Sequence, residues 1–335
     1  HGCAFCYCRE RKYASHDDPA DFSRLIRIKE DAPEMLRREL TRVPRDVISL
    51  GDYQPAERRF QLSRRMLEVA LDLSFPVFVL ERSDLVLRDL DLIVAIGERA
   101  AACVLFSAIA TPESPHYGWI TALENLAPVA ERRFAAMEKL AAAGILTGTA
   151  LMPVLPYLSD DETTLEAVVR RTAESGGRFV LVGGLTLADQ QRRYFLDALS
   201  RVAPEFVARY EELYAVDAYM PPDGYWHRIA QRVAKLCANY GLGDRMPRPI
   251  AGDDPLALNK RVAQCLADES YHREVAEDSG YRVWAYRRAA WAIDDLREDV
   301  GELFRREGVA GLRGIPYIGQ KTAAFVESCL TGEVE

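Results

Sequence analysis

Three cysteines lie within the first eight residues of this chain, and their thiols are the groups there best suited to chemistry. The segment reads His1-Gly2-Cys3-Ala4-Phe5-Cys6-Tyr7-Cys8. Thiolates bind soft metal centres, and iron–sulfur clusters are held by cysteines at close spacing. The Cys3-x-x-Cys6 spacing allows two sulfurs to reach one centre. The third ligand is either Cys8 or a residue that would precede His1.

A zinc site is the alternative for the same segment. A closed structural zinc site needs four ligands, usually cysteine and histidine, and residues 1–8 contain one histidine and three cysteines. The other four cysteines are scattered among apolar residues and are expected to be core thiols. They are Cys103, Cys237, Cys265 and Cys329.

Composition places the chain among ordinary globular proteins. It has 335 residues, enough for two domains, and no apolar run long enough to cross a bilayer, so no membrane partner is expected. Its seven cysteines are an odd number, which favours a reducing, cytoplasmic setting over a disulfide framework. The net charge of −8 argues against broad attraction to nucleic acid but is compatible with a local basic groove.

Short apolar runs alternate with amphipathic stretches from residue 41 to 187, which predicts parallel strands wound by helices. The predicted strands are residues 47–50, 76–80, 103–107, 149–152 and 179–183, and the clearest helices are 64–73, 131–143 and 161–175. In such sheets, chemistry occurs at the carboxyl ends of the strands. The polar or small residues at these ends are therefore the candidates for chemistry, and they are residues 51–53, 81–83, 107, 153 and 183–184.

The C-terminal part has a different pattern. A helix is predicted at 226–240 and a linker rich in Gly, Pro and Asp at 241–255. From residue 256 onward, the pattern predicts helices only, with the clearest at 256–267, 286–296 and 322–330.

Several segments match, in order, the motifs of one known group. They are residues 1–7 (HGCAFCY), 51–57 (GDYQPAE), 82–89 (RSDLVLRD), 124–133 (ENLAPVAERR) and 153–156 (PVLP). They resemble the radical SAM proteins of the spore photoproduct lyase-like group. The resemblance covers residues 1 to about 215. It implies an α/β fold, a partial (β/α)6 radical SAM barrel that lacks its first strand in this chain.

The resemblance implies a [4Fe–4S] cluster that cleaves S-adenosylmethionine to a 5′-deoxyadenosyl radical, with an electron donor as partner. Cys3 and Cys6 match the second and third cluster cysteines. The first would lie four positions before Cys3, and Cys8 lies past the cluster loop. The cofactor-binding positions carried over are Phe5, Tyr7, Gly51, Asp52, Arg82, Ser107 and Gly183. Arg82 stands where relatives often have a lysine, which keeps the charge and changes the geometry.

One departure concerns the substrate. Spore photoproduct lyase has a cysteine that donates a hydrogen atom shortly after its second strand, and residues 49–53 (SLGDY) contain none. Dimer splitting is therefore not assumed. The remaining candidates for a hydrogen-atom donor are Cys8 and Tyr53. The substrate, the reductant and the oligomeric state are left open by the sequence.

A second resemblance lies near the C-terminus. Residues 312–324 (LRGIPYIGQKTAA) resemble a helix-hairpin-helix motif, and 285–290 (AYRRAA) and 330–332 (LTG) are similar to the N-terminal domain of family X DNA polymerases. The resemblance covers residues 256–335 and implies that DNA is bound through residues 312–322. The DNA-binding positions are Gly314, Ile318, Gly319 and Lys321.

This second resemblance has three departures. Tyr317 replaces the first hairpin glycine, and a side chain there would hinder a close approach. Residues 255–335 hold 11 basic and 14 acidic side chains, so the segment is net −3, whereas DNA-binding domains are usually basic. Phe325 stands where the polymerase domain has its Schiff-base lysine, so no such lyase activity is expected. Tyr286 and Trp291 are expected in the core.

The sequence thus predicts a radical SAM barrel over residues 1–215, a helical extension and linker over 216–254, and a helix-hairpin-helix domain over 255–335. The main hypothesis is a radical SAM enzyme that acts on nucleic acid in repair or modification. One alternative is a radical SAM enzyme acting on a protein or small molecule, with the helical domain as a docking module. Another is a non-catalytic DNA-binding scaffold.

The cluster register generates a first prediction. With only two of three ligands, the chain as given should bind a cluster poorly and be inactive. An N-terminal extension that places a cysteine four residues before Cys3 should increase the iron bound after anaerobic reconstitution. The measurements are the iron content and the absorbance of visible light. The same extension with serine in that place is the control, and equal iron in both proteins would contradict this register.

Overall fold

The structure, a computed structural model, describes residues 1–13, 21–51, 53–215 and 218–332. The chain divides into two compact units. The first comprises His1–Glu98 with Ala102–Met246, and the second comprises Pro247–Glu335 with Arg99–Ala101. The division after Met246 falls inside the segment predicted as a linker. Asp52 lies outside the described residues.

The first unit is built on a sheet of five strands. They are β1 (Ile48–Gly51), β2 (Val77–Glu81), β3 (Ala102–Ser107), β4 (Leu146–Val154) and β5 (Val180–Gly184). The strands lie side by side in chain order and every neighbouring pair is parallel. All five predicted strands are therefore confirmed, with β4 longer than expected, and the parallel α/β architecture with them.

Helices connect and follow the strands. Those of the first unit are α1 (Ala32–Leu40), α2 (Glu57–Phe60), α3 (Leu62–Leu73), α4 (Leu90–Arg99), α5 (Tyr117–Glu124), α6 (Ala130–Ala142), α7 (Glu162–Glu174), α8 (Asp189–Val202), α9 (Val207–Leu213) and α10 (Asp223–Asn239). Those of the second unit are α11 (Ala257–Val275), α12 (Gly280–Asp294), α13 (Val300–Gly314) and α14 (Gln320–Thr331).

Strand β3 is buried on both faces. Its residues Val104 and Phe106 belong to the main core, whereas Cys103 and Leu105 belong to a smaller apolar cluster on the other face. Continuous apolar runs of this kind are typical of parallel strands that are covered on both sides. Cys103 is thus a core thiol, as predicted, and burial raises its pKa to about 12.

The predicted linker begins as part of the sheet unit. Gly243 forms a parallel bridge with Phe179, and the Val180 backbone N–H donates to the Gly243 carbonyl over 2.9 Å. Leu242 also packs against the main core. The composition of residues 241–255 did not reveal this pairing because a single bridge needs no apolar run.

The second unit has its own core, which includes Leu266, Ile293 and Leu312. Helix α13 is broken at Gly308, whose φ of +61° is not helical. Tyr286 is buried as predicted, but the prediction for Trp291 is wrong, because its side chain is more than half exposed. Across the described residues, no helix combines the length and the apolar character needed to cross a bilayer.

Candidate active site

The cysteine segment is a folded turn attached to the end of α5. The Ala4 N–H donates to the Leu123 carbonyl over 2.8 Å, and the Cys6 N–H donates to the Cys3 carbonyl over 3.3 Å. Gly2 has a φ of +76°, and a Cβ there would lie 2.8 Å from the Asn125 side-chain nitrogen. Glycine is therefore needed at this position for both its backbone angle and its close packing.

Arg9 holds this turn from the inside. Its guanidinium donates to the carbonyls of Gly2, over 2.8 Å, and Cys3, over 3.0 Å. The same group lies 3.8 Å from the Tyr194 ring centroid and 4.6 Å from that of Phe22. The side chain is fully buried. Arg9 thus fixes the backbone that carries the thiols.

Two glutamines of α8 support the turn from another side. The Gln191 side-chain amide donates to the Phe5 carbonyl over 3.2 Å, and that of Gln190 donates to the Arg9 carbonyl over 2.8 Å. Sequence reasoning missed Arg9 and both glutamines. They belong to no motif with a known role, and their partners lie far away in the sequence or are backbone atoms.

The thiols differ in their surroundings. Cys3 is buried and its thiol donates to the Glu124 carbonyl over 3.4 Å. Burial raises the pKa of the Cys3 thiol, and the nearby Arg82 charge partly offsets this effect. A hydrogen bond with Cys8, together with burial, raises the pKa of the Cys6 thiol. Both thiols therefore keep their protons at neutral pH until a metal replaces them.

An arginine–glutamate–arginine cluster lies beside the thiols. The Glu124 carboxylate accepts from Arg82 over 2.6 Å through one oxygen and from Arg133 over 2.6 Å through the other. Burial by itself would raise the pKa of the Glu124 carboxyl, but the charges of Arg133 and Arg82 outweigh it and lower the pKa. This ionised carboxylate contributes stability above its ordinary pKa of 4.5, and that contribution is lost as the pH falls through the lowered value.

The cluster also joins the ends of three strands. The Met152 carbonyl of β4 accepts from Arg82, which follows β2, over 3.0 Å. It also accepts from the Ser107 hydroxyl, at the end of β3, over 2.8 Å. The Phe5 ring centroid lies 5.2 Å from the Arg82 guanidinium carbon. The carboxyl edge of the sheet therefore brings together Cys3, Phe5, Arg82 and Ser107.

Other predicted positions lie in different surroundings. Tyr53 is buried, its hydroxyl donates to Asp89 over 2.9 Å, and burial and the Asp89 charge raise its pKa. Tyr7 is half-exposed and packs edge-on against Tyr13. A Cβ on Gly183 would meet the Met152 side chain at 2.7 Å. The group packed closely against Gly183 is therefore this side chain. A Cβ on Gly51 would lie 3.0 Å from the Leu80 carbonyl oxygen.

The donor set fits part of an iron–sulfur site. Among the described residues, no group of three or more His, Cys, Asp or Glu side chains is arranged to hold a metal. Cys3 and Cys6 nevertheless share one folded turn, and the Arg82 charge acts on both thiols in the direction that favours the thiolate. The pair therefore fits two thiolate ligands of a cluster whose further ligands come from elsewhere.

The C-terminal hairpin joins α13 to α14 through five residues. Gly314 and Gly319 each leave open space where a Cβ would lie, and Lys321 is exposed. The Gly319 N–H already donates to the Thr322 hydroxyl over 2.8 Å. Ile318 is buried in the core of the unit, and its backbone N–H donates to the Ile315 carbonyl over 3.2 Å, so the DNA-binding role of this position stays a prediction. The motif has an apolar residue at this position because its side chain packs into the core, whereas the neighbouring Tyr317 and Gly319 are exposed.

The Glu124 cluster generates a prediction from two adjacent arginines. Arg133 is 1% exposed and pairs with Glu124, whereas Arg132 is 56% exposed and pairs with Asp84. Arg133→Gln should lower the free energy of unfolding by about 3–5 kcal/mol, because it leaves a buried carboxylate without one of its charge partners. Arg132→Gln should change it by about 0.5 kcal/mol or less.

Urea unfolding at neutral pH measures both variants in the same way. Equal losses for Arg133→Gln and Arg132→Gln would show that the buried pair is not a structural requirement. Far-UV circular dichroism before unfolding checks that both variants start from the folded state.

This chain has relatives among known proteins. No known family model matches it. The uncharacterized protein Rv2578c of Mycobacterium tuberculosis is 32% identical over 258 residues, which cover 74% of this chain and 74% of that protein. The uncharacterized protein MJ0683 of Methanocaldococcus jannaschii is 25% identical over 164 residues, covering 48% of this chain and 59% of that protein.

One solved structure is similar to part of the chain. It is Streptococcus suis SuiB bound to S-adenosylmethionine, with 14% identity and a TM-score of 0.40. The match covers 63% of this chain and 44% of SuiB, so the chain spans less than half the length of that protein. At this TM-score, the similarity does not establish a shared fold. Family membership rests on the sequence match instead: the chain belongs to the family of the mycobacterial protein Rv2578c.

Proposed function

We propose that this chain is the catalytic part of a radical SAM enzyme, which holds a [4Fe–4S] cluster and S-adenosylmethionine at the carboxyl edge of its sheet. One observation carries the proposal. Cys3 and Cys6 share a folded turn that lies against Arg82, directly after β2, and Glu124, at the end of α5. Soft ligands at the carboxyl edge of a parallel sheet favour a metal cofactor there.

Cys3 and Cys6 would provide two thiolate ligands. When bound, such a cluster supplies the electron that splits S-adenosylmethionine. The protein contributes the surroundings. Cys3, Ala4 and Phe5 are all buried, which keeps water away from this side of the site. Arg82 adds a positive charge near both sulfurs, so it favours their ionised form and offsets the cost of burying negative charge.

Arg82 is also the residue that limits how the cofactor is held. Its guanidinium already donates to Glu124 and to the Met152 carbonyl. A cofactor carboxylate that bound this arginine would therefore share it with Glu124. The planar guanidinium has five N–H donors, which are enough for Glu124, the Met152 carbonyl and a cofactor carboxylate, whereas a lysine has three.

Cysteine variants test the proposal. In the chain extended by the upstream cysteine, reconstituted anaerobically with iron and sulfide, Cys3→Ser and Cys6→Ser should each lose most of the bound iron. They should also lose reductive cleavage of S-adenosylmethionine to 5′-deoxyadenosine, measured by chromatography. Cys8→Ser is the matched control in the same turn, and it should keep both properties.

Two results would count against the proposal. Loss of iron in Cys8→Ser, together with its retention in Cys3→Ser, would mean that another set of ligands is used. A full complement of iron without any cleavage of S-adenosylmethionine would favour a non-catalytic scaffold.

We further propose that the enzyme acts on nucleic acid and that the hairpin, residues 312–322, binds a DNA phosphate. The support is local. Gly314 and Gly319 leave open space around the backbone, and Lys321 is exposed in the first turn of α14. Helix N-termini favour anions because their backbone N–H groups point outward. The positive charge of Lys321 adds to that preference.

Lys321→Ala tests the hairpin in the full chain. It should weaken binding to duplex DNA and reduce the slope of log affinity against log salt by about one, as expected for the loss of one phosphate contact. Fluorescence anisotropy of a labelled duplex measures both quantities. Lys260→Ala is the control, because Lys260 pairs with Asp254 away from the hairpin sequence. Absence of duplex binding at low salt would overturn this part of the proposal.

A further inference from the structure

Helix α12 presents a row of large side chains to solvent. Tyr281 is 87% exposed, Trp284 47% and Trp291 55%, and Arg288 is exposed between the two tryptophans. These four positions are spaced by three, four and three residues, so they lie along one side of the helix. We call this row the aromatic face.

The aromatic face does not serve the core of the unit. The buried side of α12 is formed by other residues, which include Val283, Tyr286 and Ile293. Tyr286 and Ile293 belong to the apolar core of the unit, together with residues of α11 and α14. Two tryptophans and a tyrosine left in water are costly, and clustered exposure of this kind indicates an interaction site.

Rings and guanidinium groups are interleaved on this surface. The ring centroids of Trp284 and Trp291 are 6.1 Å apart, with the planes at 68°. The Arg287 guanidinium carbon lies 5.0 Å from the Trp284 ring centroid. Arg288 lies 5.8 Å from the ring of Tyr317, which is 67% exposed at the hairpin. The aromatic face therefore continues onto the hairpin.

Tyr317 owes its exposure to the turn. Its φ of +65° is in the left-handed region, which favours glycine and which the hairpin motif normally fills with glycine. In this conformation, its side chain extends into solvent beside Arg288. The departure from the motif thus adds a ring to the surface at the position where a bare backbone was expected.

Positive charge is available on this surface although the unit is acidic as a whole. Arg282 and Arg287 form ion pairs with Asp278 and Glu274. Over residues 218–332, by contrast, no ion pair involves Arg288, Arg313 or Lys321. Arg313 and Lys321 each lie four residues from Tyr317 in the sequence. Arg288, which has no ion pair among these residues, thus lies beside the Tyr317 ring.

We propose that the aromatic face binds single-stranded nucleic acid, with bases stacked on Trp284, Trp291 and Tyr317 and a phosphate held by Arg288. Every base has a π face, so rings interleaved with cations are the pattern that single strands need. Protein interfaces also use Trp, Tyr and Arg, but Arg288 lies against the Tyr317 ring and has no acidic partner among residues 218–332, which favours a polyanion with flat bases. This inference deepens the nucleic-acid part of the proposed function by naming the form that is bound.

Anisotropy of a labelled oligothymidine, titrated with the full chain in low salt without iron or S-adenosylmethionine, tests the inference. Trp284→Leu and Trp291→Leu should each weaken binding about tenfold or more, which is the usual effect of losing one stacked base. Trp291→Phe should keep most of the affinity, because it retains a ring. Arg288→Ala should reduce the salt slope by about one. Arg305→Ala, an exposed arginine of α13, is the matched control and should leave the slope unchanged.

The outcomes separate this inference from the others. Weaker binding of single strands with unchanged binding of duplex DNA in the two leucine variants would support the aromatic face. Absence of single-strand binding at low salt, or equal affinity of the leucine and phenylalanine variants, would overturn it and indicate a protein-docking surface. Because no cofactor is present, failure here would not affect the cysteine variants, and failure of S-adenosylmethionine cleavage would not affect this titration.

Discussion

The buried Glu124 carboxylate, held between Arg82 and Arg133, is the interaction on which the sheet unit depends. A carboxylate removed from water needs charge partners in close contact, and here it has two. Through Arg82, the cluster reaches the Met152 carbonyl of β4. Through the Glu124 carbonyl, it reaches the Cys3 thiol. A single residue, Glu124, thus links the carboxyl edge of the sheet through its side chain to the cysteine turn through its backbone carbonyl.

This arrangement explains why charge and metal ligands occur together in an otherwise apolar region. The ends of parallel strands collect groups from elements that are distant in sequence. Arg82 follows β2 and Ser107 ends β3, and both donate to the carbonyl of Met152 in β4. The strand ends therefore form one part of the site, and the cysteine turn, which precedes β1 in the sequence, forms the other.

The sequence predicted the strands well because apolar runs between helical stretches are a local signal. It also predicted that Arg82 and Ser107 lie at the carboxyl ends of their strands, and the structure brings Cys3 close to Arg82 there. It did not predict the burial of Arg9, since an arginine near other basic residues usually remains solvated, and only distant rings from Phe22 and Tyr194 reveal its pocket. Trp291 was predicted to lie in the core because an apolar side chain is a local signal of burial. Its actual exposure depends on how the helices pack, which the local sequence does not show.

The cysteine turn has consequences for how the chain folds as it is made. Its contacts span the unit: Cys3 meets Glu124, 121 residues later, and Phe5 meets Gln191, 186 residues later. Closing such long loops is a slow, late event, and synthesis proceeds from the N-terminus. The thiols therefore leave the ribosome long before their protective partners exist. During that interval they are open to oxidation or to stray metal ions, so the order of synthesis leaves the cysteine turn uncovered until most of the sheet unit has been completed.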